Sequence, residues 1–98
     1  MTRARAVVLQ TPLRNPSALP AFVEACLRDR VELIAIVGPD CEALEDEIDW
    51  LIVGDGSDES RFIVTSSHAE ETLEDAVAFA SGWSLQDGSH GKADIVSL

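Results

Sequence analysis

The chain has 98 residues, 46% of them apolar, with 18 acidic residues against 7 basic ones and a formal net charge of −11. That length holds one hydrophobic core and is too short for two, so a single domain over residues 1–98 is expected. The apolar share excludes general disorder, and the charge repels phosphate backbones and anionic lipid, so neither nucleic acid nor a membrane surface is an expected partner.

The charge is unevenly spread. Residues 1–33 carry five Arg against three acids, whereas residues 34–98 carry two basic residues against fifteen acids. Nine of the acids fall between Asp40 and Glu59, with no Lys or Arg among them. Such a stretch attracts a basic partner or a cation, or serves only to keep the protein in solution. Apolar runs as short as Leu33–Val37 do not span a bilayer. The basic start, Met1–Arg5, is followed by only Ala6–Leu9 and lacks the apolar length of a secretion signal, so a cytoplasmic location is expected. Cys26 and Cys41 do not make a disulfide framework and are read as reduced thiols.

Taken in chain order, Arg5–Thr11 is a short apolar run suited to a buried strand. Thr11–Ser17 holds two prolines and reads as a loop, after which Ser17 can cap a helix that tolerates Pro20 in its first turn. Phe22, Val23, Cys26 and Leu27 give that helix one apolar face, and Arg28 and Arg30 stand near its C-terminal end, where its dipole favours cations. Val31–Val37 is almost continuously apolar and branched, which a strand covered on both faces needs. Gly38-Pro39-Asp40 stops it. Cys41, Leu44 and Ile48 mark a short helix with a thin apolar stripe and an acidic outer face.

Trp50–Val53 then reads as a strand, followed by a polar loop over Gly54–Ser60. Phe62–Thr65 reads as the next strand. Ser67 and Glu70 have capping-box spacing for a helix with apolar residues Ala69, Leu73, Ala76, Val77 and Ala80, closed by Gly82. Trp83–Lys92 is a loop and Ala93–Leu98 a last strand. The alternation implies an α/β three-layer sandwich, with a small, mostly parallel sheet of four to five strands, helices on both faces and a Rossmann- or flavodoxin-like topology. One join stays open. The seven residues Gly54–Ser60 suit either a hairpin or an extended return, so the direction of strand 62–65 relative to strand 50–53 is not determined.

Ligands of open parallel sheets bind beyond the carboxyl ends of the strands. There the sequence offers Thr11 and Arg14, Gly38-Pro39-Asp40-Cys41, Gly54-Asp55 and Ser66-Ser67-His68, a set in which Cys41 at a helix start would be the nucleophile, His68 its base and Asp40 or Asp55 the orienting group. The plainer reading is stronger. Cys41 begins an apolar stripe among carboxylates that disfavour its thiolate, and His68 is explained by its place in a helix cap. No His/Cys spacing suits zinc, and Asp55–Glu59 fails the alternation a calcium loop needs, so no metal is expected. Gln10-Thr11-Pro12-Leu13-Arg14 replaces the Gly-rich turn of a dinucleotide fold, and Gly91-Lys92 precedes a strand, not a helix, so no cofactor is expected.

The sequence does not disclose an activity. Its best reading is a non-enzymatic binding or regulatory module working by protein–protein contact, through Asp40, Glu42, Glu45, Asp46, Glu47, Asp55, Asp58 and Glu59. The partner would be a basic protein or a second copy held by Trp50 or Trp83. The alternative is a small enzyme using Asp40, Cys41, Asp55 and His68.

Overall fold

Ala6–Leu9 and Leu33–Val37 are buried along their whole length, as continuously apolar strands must be when both faces are covered. The computed structural model describes residues 6–54, 56–57, 61–85 and 93–98, with the backbone alone over 83–85. Strands β1 (Ala6–Gln10), β2 (Leu33–Val37), β3 (Val64–His68) and β4 (Ala93–Ser97) form one sheet in the order β3-β2-β1-β4. All three neighbouring pairs are parallel, with Val7 opposite Ile34, Ile34 opposite Thr65, and Val7 opposite Asp94. The crossovers are α1 (Leu19–Arg28), α2 (Cys41–Val53) and α3 (Leu73–Leu85), and a 3-10 turn at Pro16–Ala18 leads into α1. This is the expected three-layer α/β sandwich, with β1 and β2 at its centre.

Parallel crossovers keep one hand, so β1→β2→β3 places α1 and α2 on the same face, and the reversal β3→β4 places α3 on the other. The core divides accordingly. Val7, Leu9, Ile34 and Ile36 pack with Phe22, Val23, Cys26, Cys41, Ile48 and Ile52 on the α1/α2 side. Ala6, Val8, Leu33, Ala35 and Val37 pack with Ala76 and Ala80 of α3 on the other. No helix among the described residues is long and apolar enough to cross a membrane.

Several local expectations are corrected. Trp50–Val53 is not a strand but the last turn of α2. Ile48 and Ile52 continue the spacing begun by Cys41 and Leu44, so packing on β2 and β3 holds these branched residues in a helix. The sheet therefore has four strands, and the join between strands 50–53 and 62–65 dissolves into an ordinary α2-to-β3 connection. The third strand is Val64–His68, displaced from Phe62–Thr65, because pairing of Leu33 with Val64 and Val37 with His68 sets its register. Ser67 and His68 thus lie in a strand, and the capping box sits further on. Thr72 Oγ1 accepts from the Asp75 N–H at 3.1 Å, while Asp75 Oδ2 accepts from the Thr72 N–H at 3.2 Å. Gly82 is inside α3, which runs on to Leu85. Ser17 belongs to the 3-10 turn and bonds Asn15 Oδ1, leaving Ala18 as the residue before α1, with no side-chain cap.

One side chain ties three elements together. Arg61, the only basic residue between Val31 and Gly91, donates from Nε to the Ile52 carbonyl and from Nη2 to the Leu51 carbonyl, at 2.8 and 2.9 Å. It thereby satisfies half-buried acceptors at the C-terminal end of α2 that lack an intrahelical donor. Its other edge grips both oxygens of Glu24 on α1 at 2.9 and 2.5 Å. Those hydrogen bonds, assisted by the charge attraction, hold the Glu24 carboxyl below its ordinary value.

Candidate functional site

The four groups expected to gather beyond the strand ends do not form one constellation. Cys41 opens α2 and points into the core of the α1/α2 face, where it is 1% exposed. His68 is level with Val37, whose side chain belongs to the α3 face, so the thiol and the imidazole lie on opposite sides of the sheet. Asp40 precedes α2 in a left-handed conformation and is exposed. Asp55 lies outside the described residues, but Gly54 next to it stands at the far end of α2, about 20 Å of helix from Cys41 by the rise per residue. Both thiols, Cys26 and Cys41, are buried and unbridged. In the native protein they are expected to react with a disulfide reagent on the order of a hundredfold slower than in the unfolded chain. Rapid labelling of Cys41 at neutral pH would show that the α2 N-terminus opens.

His68 is nevertheless the centre of a hydrogen-bonded chain. Its Nδ1 is 2.7 Å from Glu71 Oε2 and its Nε2 is 2.9 Å from Ser66 Oγ. With the carboxylate accepting from Nδ1–H, a neutral ring has a bare Nε2 that accepts the Ser66 hydroxyl. The ring also leans on Phe79 of α3 at a centroid distance of 5.0 Å. The sequence puts Ser66 among the strand-end residues but gives it no role. Its signal is the two-residue spacing to His68, which puts both on one face of a strand, and it becomes visible only once this segment is known to be a strand.

The acidic residues of α2 sort onto two flanks. Glu42, Asp46 and Asp49 are exposed and Glu45 is half-buried, all on the flank toward β3. Thr65 of β3 anchors that flank through its hydroxyl, which lies 2.6 Å from Asp49 Oδ1 and 3.0 Å from Glu45 Oε2. The hydroxyl has one proton, so it donates to one carboxylate at a time. Beside these acids stands a shallow hollow of about 290 Å³ lined by Asp46, Asp49, Trp50 and Val53. Trp50 is 75% exposed and Phe62, next to the residue that caps α2, is 72% exposed. Asp49 and Trp50 are functional candidates on α2 only because the helix extends past Ile48. Asp58 and Glu59, like His90 and the side chain of Trp83, lie outside the described residues.

Glu47 turns to the opposite flank. There it joins Asp40, Ala43, Leu44, Pro39 and the Thr11–Pro12 turn around a hollow of about 290 Å³. Thr11 builds the wall of this hollow, since its hydroxyl donates to the Pro39 carbonyl at 2.6 Å and its N–H to the Val37 carbonyl at 2.9 Å. On the far side of the same wall lies a second hollow of about 560 Å³, between the carboxyl ends of β1 and β4. The acids of α2 thus frame an acidic corner around the exposed Trp50, and the β1 end separates it from a hollow of different character. Among the described residues no group of three or more His, Cys, Asp or Glu side chains is placed to hold a metal ion.

Residues 1–94 match a family described as a domain of unknown function, DUF7684. No curated protein and no solved structure matches the chain.

Proposed function

The chain belongs to the DUF7684 family, and we propose that it is a non-enzymatic binding module whose α2 surface takes a basic protein partner. The observation that carries this reading is the company Trp50 keeps. A large aromatic side chain, 75% exposed, stands among Asp46, Asp49 and Val53 on one helical flank. Aromatic anchors inside a charged rim are the composition of protein-binding surfaces, and the carboxylates select the sign of the partner. A second copy of this chain would bring the same carboxylates face to face, so charge favours a different, basic protein over self-association. The reading places the module in the cytoplasm, where Cys26 and Cys41 remain thiols.

The test starts from affinity capture with the full chain, followed by binding measurements on whatever basic protein is retained. Trp50→Ala is expected to weaken that complex roughly 10–100-fold. Neutralising Glu42, Asp46 and Asp49 to Gln or Asn is expected to weaken it and to flatten its dependence on salt. A complex that neither change alters by more than a few-fold would leave α2 as a solubilising face. Sedimentation showing a dimer broken by Trp50→Ala would replace the basic protein with a second copy.

One observation favours a second reading, acyl transfer: the Ser66–His68–Glu71 chain has the nucleophile, base and orienting carboxylate in hydrogen-bonding sequence. The binding reading expects no covalent adduct when the protein is treated with a fluorophosphonate. An adduct on Ser66 that disappears in His68→Ala would establish the catalytic reading in its place.

A further inference from the structure

We infer that the hollow between the carboxyl ends of β1 and β4 is a binding site for a small organic anion carrying a carboxylate or phosphoryl group. Three separate observations meet there. The first is topology. The chain leaves β1 toward β2 on one side, and β4 is added on the other, with α1 and α3 on opposite faces. The strand order reverses between β1 and β4, and open parallel sheets bind ligands beyond the carboxyl ends of the strands at such a point.

The second observation is the hollow itself, about 560 Å³ and lined by Gln10, Thr11, Pro12, Arg14, Ser97 and Leu98. That volume suits a small molecule and is too small for a macromolecule. Gln10 and Ser97 present an amide and a hydroxyl across the strand pair, joined by a long 3.3 Å hydrogen bond that a ligand can replace. The floor is rigid, because the Arg14 and Asn15 N–H groups both donate to a Leu98 carboxylate oxygen, at 2.5 and 3.2 Å.

The third observation is charge. In a protein with 18 acidic residues, none of the six side chains lining this hollow is acidic, and the charged groups there are the Arg14 guanidinium and the α-carboxylate of Leu98, whose oxygen is already held by the Arg14 and Asn15 N–H groups. Arg61 is spent on Glu24 and the end of α2, and Arg28 lies 4.0 Å from Asp29. No ion pair joins Arg14 to a carboxylate among the described residues, and its guanidinium is exposed beside the hollow. A guanidinium fork beside an amide and a hydroxyl matches the planar or tetrahedral oxygens of a carboxylate or phosphoryl group. The negative field of the rest of the molecule disfavours polyanions, which limits the ligand to one or two charges. The site is independent of the α2 surface, from which the Thr11–Pro12 wall separates it.

The experiment is a titration of the ¹⁵N-labelled full chain with inorganic phosphate and, separately, with succinate, at ionic strength held constant with sodium chloride. The expected result is saturable movement of the Thr11, Arg14, Ser97 and Leu98 amides with a midpoint in the millimolar range for at least one probe. Arg14→Gln is expected to weaken that binding at least tenfold, while Arg30→Gln leaves it unchanged. Response to phosphate alone assigns the phosphoryl group, and response to succinate alone assigns the carboxylate. Absence of saturable movement with both probes, or movement that survives Arg14→Gln, would overturn the inference. Because both variants alter exposed side chains, their amide spectra also report whether the fold is intact.

Discussion

Replacing Gly38 with Ala is expected to destabilise the domain by about 2–4 kcal/mol, from left-handed backbone strain and overpacking acting together. Gly38 has φ +118°, a conformation that side chains resist. A Cβ there would stand 2.7 Å from the Thr11 carbonyl oxygen and closer still to the Thr11 hydroxyl. Neither atom can yield. The Thr11 N–H is bonded to Val37 and its hydroxyl to Pro39, so relief would require the ends of β1 and β2 to separate. In a domain of this size the loss corresponds to a fall of roughly 10–25 °C in Tm. Gly56 is the control, because it also has positive φ but no neighbour within 4 Å of a Cβ. Gly56→Ala is expected to cost only about 1–2 kcal/mol, the strain without the collision. Equal losses in urea denaturation would mean that the approach of Thr11 contributes nothing.

Arg61→Ala is expected to cost about 2–3 kcal/mol through the carbonyls it leaves without a charged donor at the end of α2. Leu51 and Ile52 each accept one N–H from the guanidinium, and the negative end of the helix dipole adds to the attraction. Lysine is not expected to restore the loss, since one ammonium cannot meet two carbonyls and a carboxylate in the geometry of a planar fork. Glu24→Gln separates the two halves of the clamp, because it leaves the carbonyls satisfied and removes only the exposed ion pair. Its effect should be smaller and should depend on pH in a definite direction. The Arg61 bonds lower the Glu24 pKa from its ordinary 4.5. A carboxyl lowered on folding contributes stability above its unfolded pKa and loses it as pH falls through the folded one. The gap between the native chain and Glu24→Gln should therefore be constant near neutral pH and close on acidification below that value. A gap that widens in acid would contradict the ion pair.

Much of the architecture was legible in local pattern. The branched, unbroken apolar runs of β1 and β2 announce strands with no solvent-facing side, and such strands exist only where helices cover both faces. The stripe Phe22, Val23, Cys26 likewise announces α1, and the same logic places Cys26 and Cys41 in the core. The misread segments share a cause. Trp50–Val53 has strand-like residues and Ser66–His68 has loop-like ones, yet the first is helix and the second strand. Over four or five residues, intrinsic preference is worth little against pairing with β2 and burial of Ile48 and Ile52. The capping box was misplaced by the same shift, although Thr72 and Asp75 have the required spacing.

The chemistry followed the register. The sequence alone determines the net charge, the run of carboxylates from Asp40 to Glu59, the apolar strands and the scarcity of basic residues, because these are properties of composition and spacing. Which groups meet was decided by the tertiary structure. A one-residue change in strand register moves a side chain to the other face of a sheet, and one extra helical turn carries the next loop to the other end. So Cys41 and His68 are near the same strand ends but on opposite faces, and Ser66 and Glu71 become the partners of His68. The topology likewise brought Arg14, which the sequence places among the strand-end residues without a role, to the hollow where the strand order reverses, as its one charged side chain.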